Sequence, residues 1–310
     1  STSMAAAAAS FAPVSSRGGE FTGTIKKAIK FPDIDEPTLS IEDKFRLLKD
    51  IGFDGVELRY IHIGMEKEFI AARDKVGLPI HGVVNSSQPD LKSAIELCAA
   101  VGGEGILVTA PYDKTRPLME SWKERQDIIR AGLPHAEKHN VKILVENVWA
   151  GFLISVFDAV KFIDEVNHPL FGIYFDVGNN ARWGVPEHWI PILGDRIGKL
   201  DIKEWDDNLH RTAGLKAGFS QPIGEGTINW EGVRASLKQI GYKGWATTEV
   251  GKADRTRLAD IAARMGCQPC FLVDSTPGVP GATRVSEGLD KVYIQQVTLS
   301  CIHWGAMDAA

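Results

Sequence analysis

Four acidic residues each close a short apolar run: Glu146 in ILVENVW, Asp176 in FGIYFDVGN, Asp201 in IGKLDIKEW and Glu249 in WATTEV. Each run is short and rich in β-branched or aromatic residues, the pattern of a strand. If the strands are parallel, all four carboxylates stand at carboxyl ends. In a β/α barrel those ends converge on one mouth, where the active site lies. Four carboxylates gathered in a low dielectric repel one another strongly. A divalent cation keeps them ionised together, so the arrangement points to a metal site.

The rest of the chain reads as the container for that site. A first strand is expected over 23–31 (GTIKKAIKF). Ser40-x-x-Asp43 is a capping box, and Phe45, Leu47, Leu48 and Ile51 give the helix behind it one apolar face. GFDGVELRY is the second strand, with Glu57 near its end as a residue that could face the mouth and touch substrate. A helix over 65–76 and the strand LPIHGVVNS follow; His81 on that strand is read as a core residue rather than a ligand. Further helices are expected over 90–101, 121–140, 157–166, 183–193, 230–240 and 253–265. They alternate with EGILVTAP and the four acid-bearing strands, and a polar, Gly-rich loop fills 206–229. Eight strands alternating with helices predict an α/β fold, a single-domain (β/α)8 TIM barrel over 23–265, with an open doubly wound sheet as the alternative. No Gly-rich dinucleotide or NTP motif stands between a strand and a helix.

Composition bounds the partners. The 310 residues carry a formal charge of −5 and are 44% hydrophobic. That suits one large core and argues against nucleic acid as the main partner. No apolar run reaches the roughly 18 residues of a membrane span, so no membrane partner is expected. Residues 1–22 begin STSMAAAAASFAPVSS and read as a signal-peptide remnant or a disordered arm. The first reading implies export to a periplasm, the second a cytoplasmic protein. Cys98 lies on a helical apolar pattern and is expected to be buried. Cys267 and Cys270 form a lone C-x-x-C, a weak zinc signal without a second pair. Residues 266–310, which also hold Cys301, lose helical periodicity and are rich in Pro and Gly. They are expected to be an irregular tail, an appendage or a carboxyl end from a shifted reading frame, that adds little to the barrel.

Taken together, GFDGVEL, ENVW, FDVGN, RIGKLDIKE, IGEGTINW and GYKGWATTEV resemble, in this order, the blocks of the xylose isomerase-like barrel superfamily of sugar and sugar-phosphate isomerases and epimerases. The resemblance runs from about residue 25 to 265 and implies a metal-dependent sugar isomerase or epimerase. It implies one divalent ion held by Glu146, Asp176, the strand-seven position Asp201, and Glu249. Relatives commonly place His at that position. A carboxylate there shifts the preference to Mn²⁺ or Mg²⁺, with Co²⁺ or Zn²⁺ as softer options. Lys199 and Lys203 share the Asp201 face by period two, and either could pair with it; Lys203 is the best cation to offset the acids. The resemblance further implies proton transfer beside a carbonyl, with Glu146 and Glu249 on opposite faces of the sugar carbon. His188 matches a position that contacts substrate oxygens, and Trp149 and Trp183 could wall the sugar face. Lyase or hydrolase chemistry on keto-sugars or keto-inositols, and a non-catalytic sugar-binding barrel, are the alternatives. The partner expected is a small sugar, with a homo-oligomer allowed for.

Overall fold

The computed structural model describes residues 21, 23–148 and 151–266. Trp149, the amino-terminal arm, and the tail with Cys267, Cys270 and Cys301 lie outside the described residues. Eight parallel strands close into one barrel in chain order. They are β1 (Ile25–Lys30), β2 (Gly55–Arg59), β3 (Ile80–Ser86), β4 (Gly105–Thr109), β5 (Lys142–Glu146), β6 (Phe171–Asp176), β7 (Ile197–Ile202) and β8 (Gly244–Thr248). β8 pairs back onto β1, from Ile25↔Gly244 to Ile29↔Thr248, which removes the open sheet from consideration. An uninterrupted ring leaves no sheet edge unpaired.

The helices are α1 (Ile41–Asp50), α2 (Glu66–Val76), α3 (Leu91–Ala100), α4 (Leu118–His139), α5 (Val156–Val166), α6 (Val177–Ala181), α7 (Pro186–Leu193), α8 (Asp207–Ala213), α9 (Leu215–Gly218), α10 (Trp230–Gln239) and α11 (Arg255–Gly266). Ser40 caps α1, with half of the expected capping box formed: the Asp43 backbone N–H donates to Ser40 Oγ at 3.1 Å, while Ser40 Oγ itself donates to Asp43 Oδ2 at 2.6 Å. Phe45 and Leu48 turn inward from α1 and are fully buried. The large apolar core fills the space between the helices and the outer faces of the strands. A smaller cluster of Val84, Leu107, Leu144 and Tyr174 forms apart from it, on strands that register side by side inside the barrel. Among the described residues no helix is long and apolar enough to cross a membrane.

Several boundaries differ from expectation by a few residues, three of them in the segments around the mouth. The 206–229 loop contains two short helices, α8 and α9, because Asp206 caps the first by accepting from Leu209 N at 2.7 Å. The helix expected over 183–193 starts at Pro186, where the fixed proline φ suits a first turn. β6 stops at Asp176 rather than running on, since the Asp176 carboxylate caps α6 at once.

Candidate active site

Parity along the strands builds the site. Tyr174 and Asp176 share one face of β6, Lys199, Asp201 and Lys203 one face of β7, and Thr247 and Glu249 one face at the end of β8. The second member of each set lies toward the carboxyl end, at the mouth. Asp176 and Asp201 are register partners on neighbouring strands. One oxygen from each of Glu146, Asp176, Asp201 and Glu249 falls within 4.8 Å of the others. The four acids named from the sequence are thus brought together. Glu146, Asp176 and Asp201 are buried, and the Glu249 side chain is 30% exposed.

Two lysines thread between the acids. Lys30 Nζ donates to Asp201 Oδ2 at 2.7 Å and to Glu249 Oε1 at 2.8 Å. Lys203 Nζ donates to the other Glu249 oxygen at 2.6 Å and stands 2.9 Å from Asp176 Oδ2. Charges therefore alternate along a line: Asp201, Lys30, Glu249, Lys203, Asp176. Glu146 ends the group without an ammonium contact; its Oε1 accepts from the neutral Asn179 amide at 2.8 Å. Asn147 fixes the neighbouring backbone, accepting from Asp176 N at 2.8 Å and donating to Asp176 O at 2.9 Å.

The electrostatics follow from these contacts. Burial pushes the Glu146 carboxyl up to about 8, and the negative Glu249 and Asp176 push the same way. Burial also raises Asp176 and, further, Asp201, each against the pull of its lysine. Burial would raise Glu249 too, but Lys203 and Lys30, one on each oxygen, hold it well below the usual carboxylate range. Four carboxylates against two ammonium groups leave a formal excess of two negative charges. Asp176 Oδ2 and Asp201 Oδ1 are buried and accept no hydrogen bond. An all-oxygen donor set, a charge deficit of two and two buried oxygens without hydrogen bonds fit one hard divalent cation.

A second polar layer lies one step deeper. Tyr174 OH donates to Thr247 Oγ1 at 2.8 Å and lies 3.2 Å from both Glu57 oxygens. His81 Nε2 meets Thr247 Oγ1 at 3.1 Å, and its ring stacks on Trp245 with centroids 4.4 Å apart. Lys199 Nζ donates to the His81 carbonyl at 2.7 Å and, more weakly, to that of Gly105 at 3.4 Å. A side chain at Gly82 would collide with Lys199 Nζ at 2.5 Å, so a glycine makes room for it.

The remaining candidates separate clearly. Glu57 is fully buried in this deeper layer, bonded to Tyr174, and not at the mouth where substrate contact was expected. Lys199 does not pair with Asp201, because its ammonium is spent on backbone carbonyls below. Lys203 joins the cluster, but on Asp176 and Glu249 rather than Asp201. His188 is exposed on the first turn of α7, and no hydrogen bond or ion pair joins it to the four acids. Trp183 is 49% exposed and faces the Arg182 guanidinium at 4.3 Å. His81 is a core residue, as read. Sequence reading missed Lys30, Asn147 and Asn179. The asparagines stand inside the quoted ENVW and FDVGN blocks. Lys30 carries a weaker signal, its period-two spacing from the buried Ala28.

Comparison with known proteins adds the family. An L-ribulose-5-phosphate 3-epimerase of Salmonella paratyphi C is 22% identical over 72% of this chain and 89% of its own. A putative L-ribulose-5-phosphate 3-epimerase of Escherichia coli is 29% identical over 42% of this chain and 46% of its own. With the first three curated relatives the chain shares only 38%, 46% and 62% of their length. The 3-keto-D-glucoside 4-epimerase of E. coli superposes with a TM-score of 0.65 at 20% identity, covering 77% of this chain and 97% of that one, a likeness of fold. Residues 45–268 match the xylose isomerase-like TIM barrel as a family, and the chain belongs to it.

Proposed function

We propose that the protein is a sugar epimerase or isomerase that moves a proton on the carbon beside a substrate carbonyl, with a divalent ion, Mn²⁺ or Mg²⁺, held by Glu146, Asp176, Asp201 and Glu249. One observation carries this reading: three buried acids and the partly exposed Glu249 converge at the barrel mouth with two fewer positive charges than negative ones. The relatives named as sugar epimerases support the substrate class. When bound, the ion supplies Lewis-acid polarisation of the carbonyl oxygen.

The chain's own residues supply the proton transfer. Inverting a carbon centre needs one group to take the proton from one face and another to return it to the opposite face. Glu146 and Glu249 are the two carboxylates placed for this exchange. Glu249 has an ammonium group on each oxygen, which holds it ionised. Glu146 touches only the neutral Asn179 amide; burial and its acidic neighbours favour its protonated form in the ion-free protein, and a bound ion would favour the carboxylate. Asn147 and the α6 cap hold Asp176 in place, which fixes the geometry between the two. The partly exposed Glu249 and Lys203 face the side from which a sugar enters.

The test is proton exchange. Purified protein, assayed for bound metal, is offered ketoses, ketose 5-phosphates and 3-keto-glycosides in D₂O, and deuterium beside the carbonyl is read by NMR. Exchange that stops on chelation and returns with Mn²⁺ is the expected result. Absence of exchange across the whole panel, with the metal bound, would overturn the assignment.

A further inference from the structure

The two lysines make the same kind of bridge, one glutamate oxygen to one aspartate oxygen, but they are built differently. Lys30 is 1% exposed and donates well-formed hydrogen bonds to both partners. Its stem rises from β1 inside the closed ring and has nowhere else to go. Lys203 lies just past β7, 12% exposed, at the open side of the cluster. Its 2.9 Å contact with Asp176 Oδ2 completes the bridge. From that same position its ammonium is 5.2 Å from the centre of the Phe219 ring, so the ring flanks it on the side away from the acids and can take up a cation that leaves them. Gly178 leaves room for the stem: a Cβ there would stand 2.5 Å from Lys203 Cγ.

We propose that Lys203 is an exchangeable cation of this site: its ammonium fills the space between Asp176 and Glu249 in the ion-free protein and withdraws toward Phe219 when a divalent ion enters, while Lys30 stays in place. The inference rests on the metal reading above. It makes Lys203 a competitor for the metal and Lys30 part of the fixed frame. Every bound ion must displace Lys203 from two carboxylates, so this residue sets the affinity. The freed ammonium then faces the entry side, where it can meet a sugar oxygen.

Titration calorimetry of the chelator-treated full-length chain with MnCl₂ tests this, alongside melting temperatures with and without Mn²⁺. Lys203→Met should bind Mn²⁺ about tenfold tighter or more, because a unit charge beside the ion has been removed. Its ion-free form should melt lower than the parent and recover with Mn²⁺. Lys203→Gln, which keeps a hydrogen-bond donor, should change in the same direction by less. Lys30→Met should melt lower both with and without Mn²⁺. A parent that binds Mn²⁺ together with a Lys203→Met that binds equally or more weakly overturns the exchange and leaves the metal reading standing. No Mn²⁺ binding by the parent, Lys203→Met or Lys203→Gln overturns both.

Discussion

The mouth of the barrel and the layer beneath it are both buried and both polar, yet they treat charge in opposite ways. In the lower layer Glu57 is offset by Lys199, and the neutral Tyr174, Thr247 and His81 supply hydrogen bonds between them. In the mouth four acids face two lysines. Burying an ion is costly unless it is paired and bonded. The lower layer sets one ammonium against one carboxyl, although burial still raises Glu57 and His81 Nδ1 has no hydrogen-bond partner. The mouth holds two more acids than ammonium groups, and Glu146 there is raised to about 8. The layers thus differ in formal charge, and the excess at the mouth is what a bound cation would offset.

Four substitutions break or sharpen this contrast. The largest effect is expected from Asp176→Asn, which keeps a side-chain oxygen able to cap α6 but removes a charged ligand. Changing residues that merely support a metal ligand costs about 10–100-fold in affinity, so losing this ligand charge should cost about 100-fold or more in Mn²⁺ binding by calorimetry. Next comes Lys199→Met, which leaves Glu57 buried without its counter-charge and should cost about 3–5 kcal/mol in denaturant unfolding. Adding Glu57→Gln should recover much of that loss. Failure to recover would show that the lower layer is not charge-paired.

Glu146→Gln gives a smaller, pH-dependent effect in chelator-treated protein. The Glu146 carboxyl rises from 4.5 to about 8 on folding, so the folded state holds a proton that the unfolded chain has lost between those values. That contribution to stability is present at low pH and lost as pH rises. The substitution should therefore stabilise the ion-free protein at pH 8 relative to pH 5, read from melting temperatures across that range. The smallest effect belongs to Tyr174→Phe. It deletes the hydroxyl that links Glu57 to Thr247 and should cost about 1–3 kcal/mol with Mn²⁺ affinity unchanged. A large loss of metal affinity would mean that the two layers are coupled.

The sequence disclosed the barrel because period-two runs and helical stripes alternate along it, and each acid of the mouth ends such a run. It disclosed neither the depth of Glu57 nor the role of Lys30. Glu57 sits in the middle of β2 (Gly55–Arg59), whereas Glu146 is the last residue of β5, so Glu57 lies below the mouth. Lys30 follows Lys26 and Lys27, of which Lys26 faces solvent, and a lysine at a strand end is ordinarily solvated. Its partners are 171 and 219 residues away and come within reach only when β8 closes on β1. Trp183 and His188 follow the same strand, and the structure shows both exposed near the start of α7, with no bond from His188 to the acids.

Glu204, next to Lys203, is buried on the other side of the chain. Its carboxylate accepts from Gly224 N at 2.6 Å, Trp230 Nε1 at 2.8 Å, Trp205 N at 3.0 Å and Ile228 N at 3.4 Å. This knot ties the two ends of the segment that carries α8, α9 and Phe219. What lies between the tied ends is free to vary, since doubling the length of a flexible loop costs only about 0.6 kcal/mol. The segment that carries Phe219 to within reach of Lys203 is thus a natural cassette: its length and side chains can be exchanged, by evolution or by design, while the strand ends that hold the acids keep their positions.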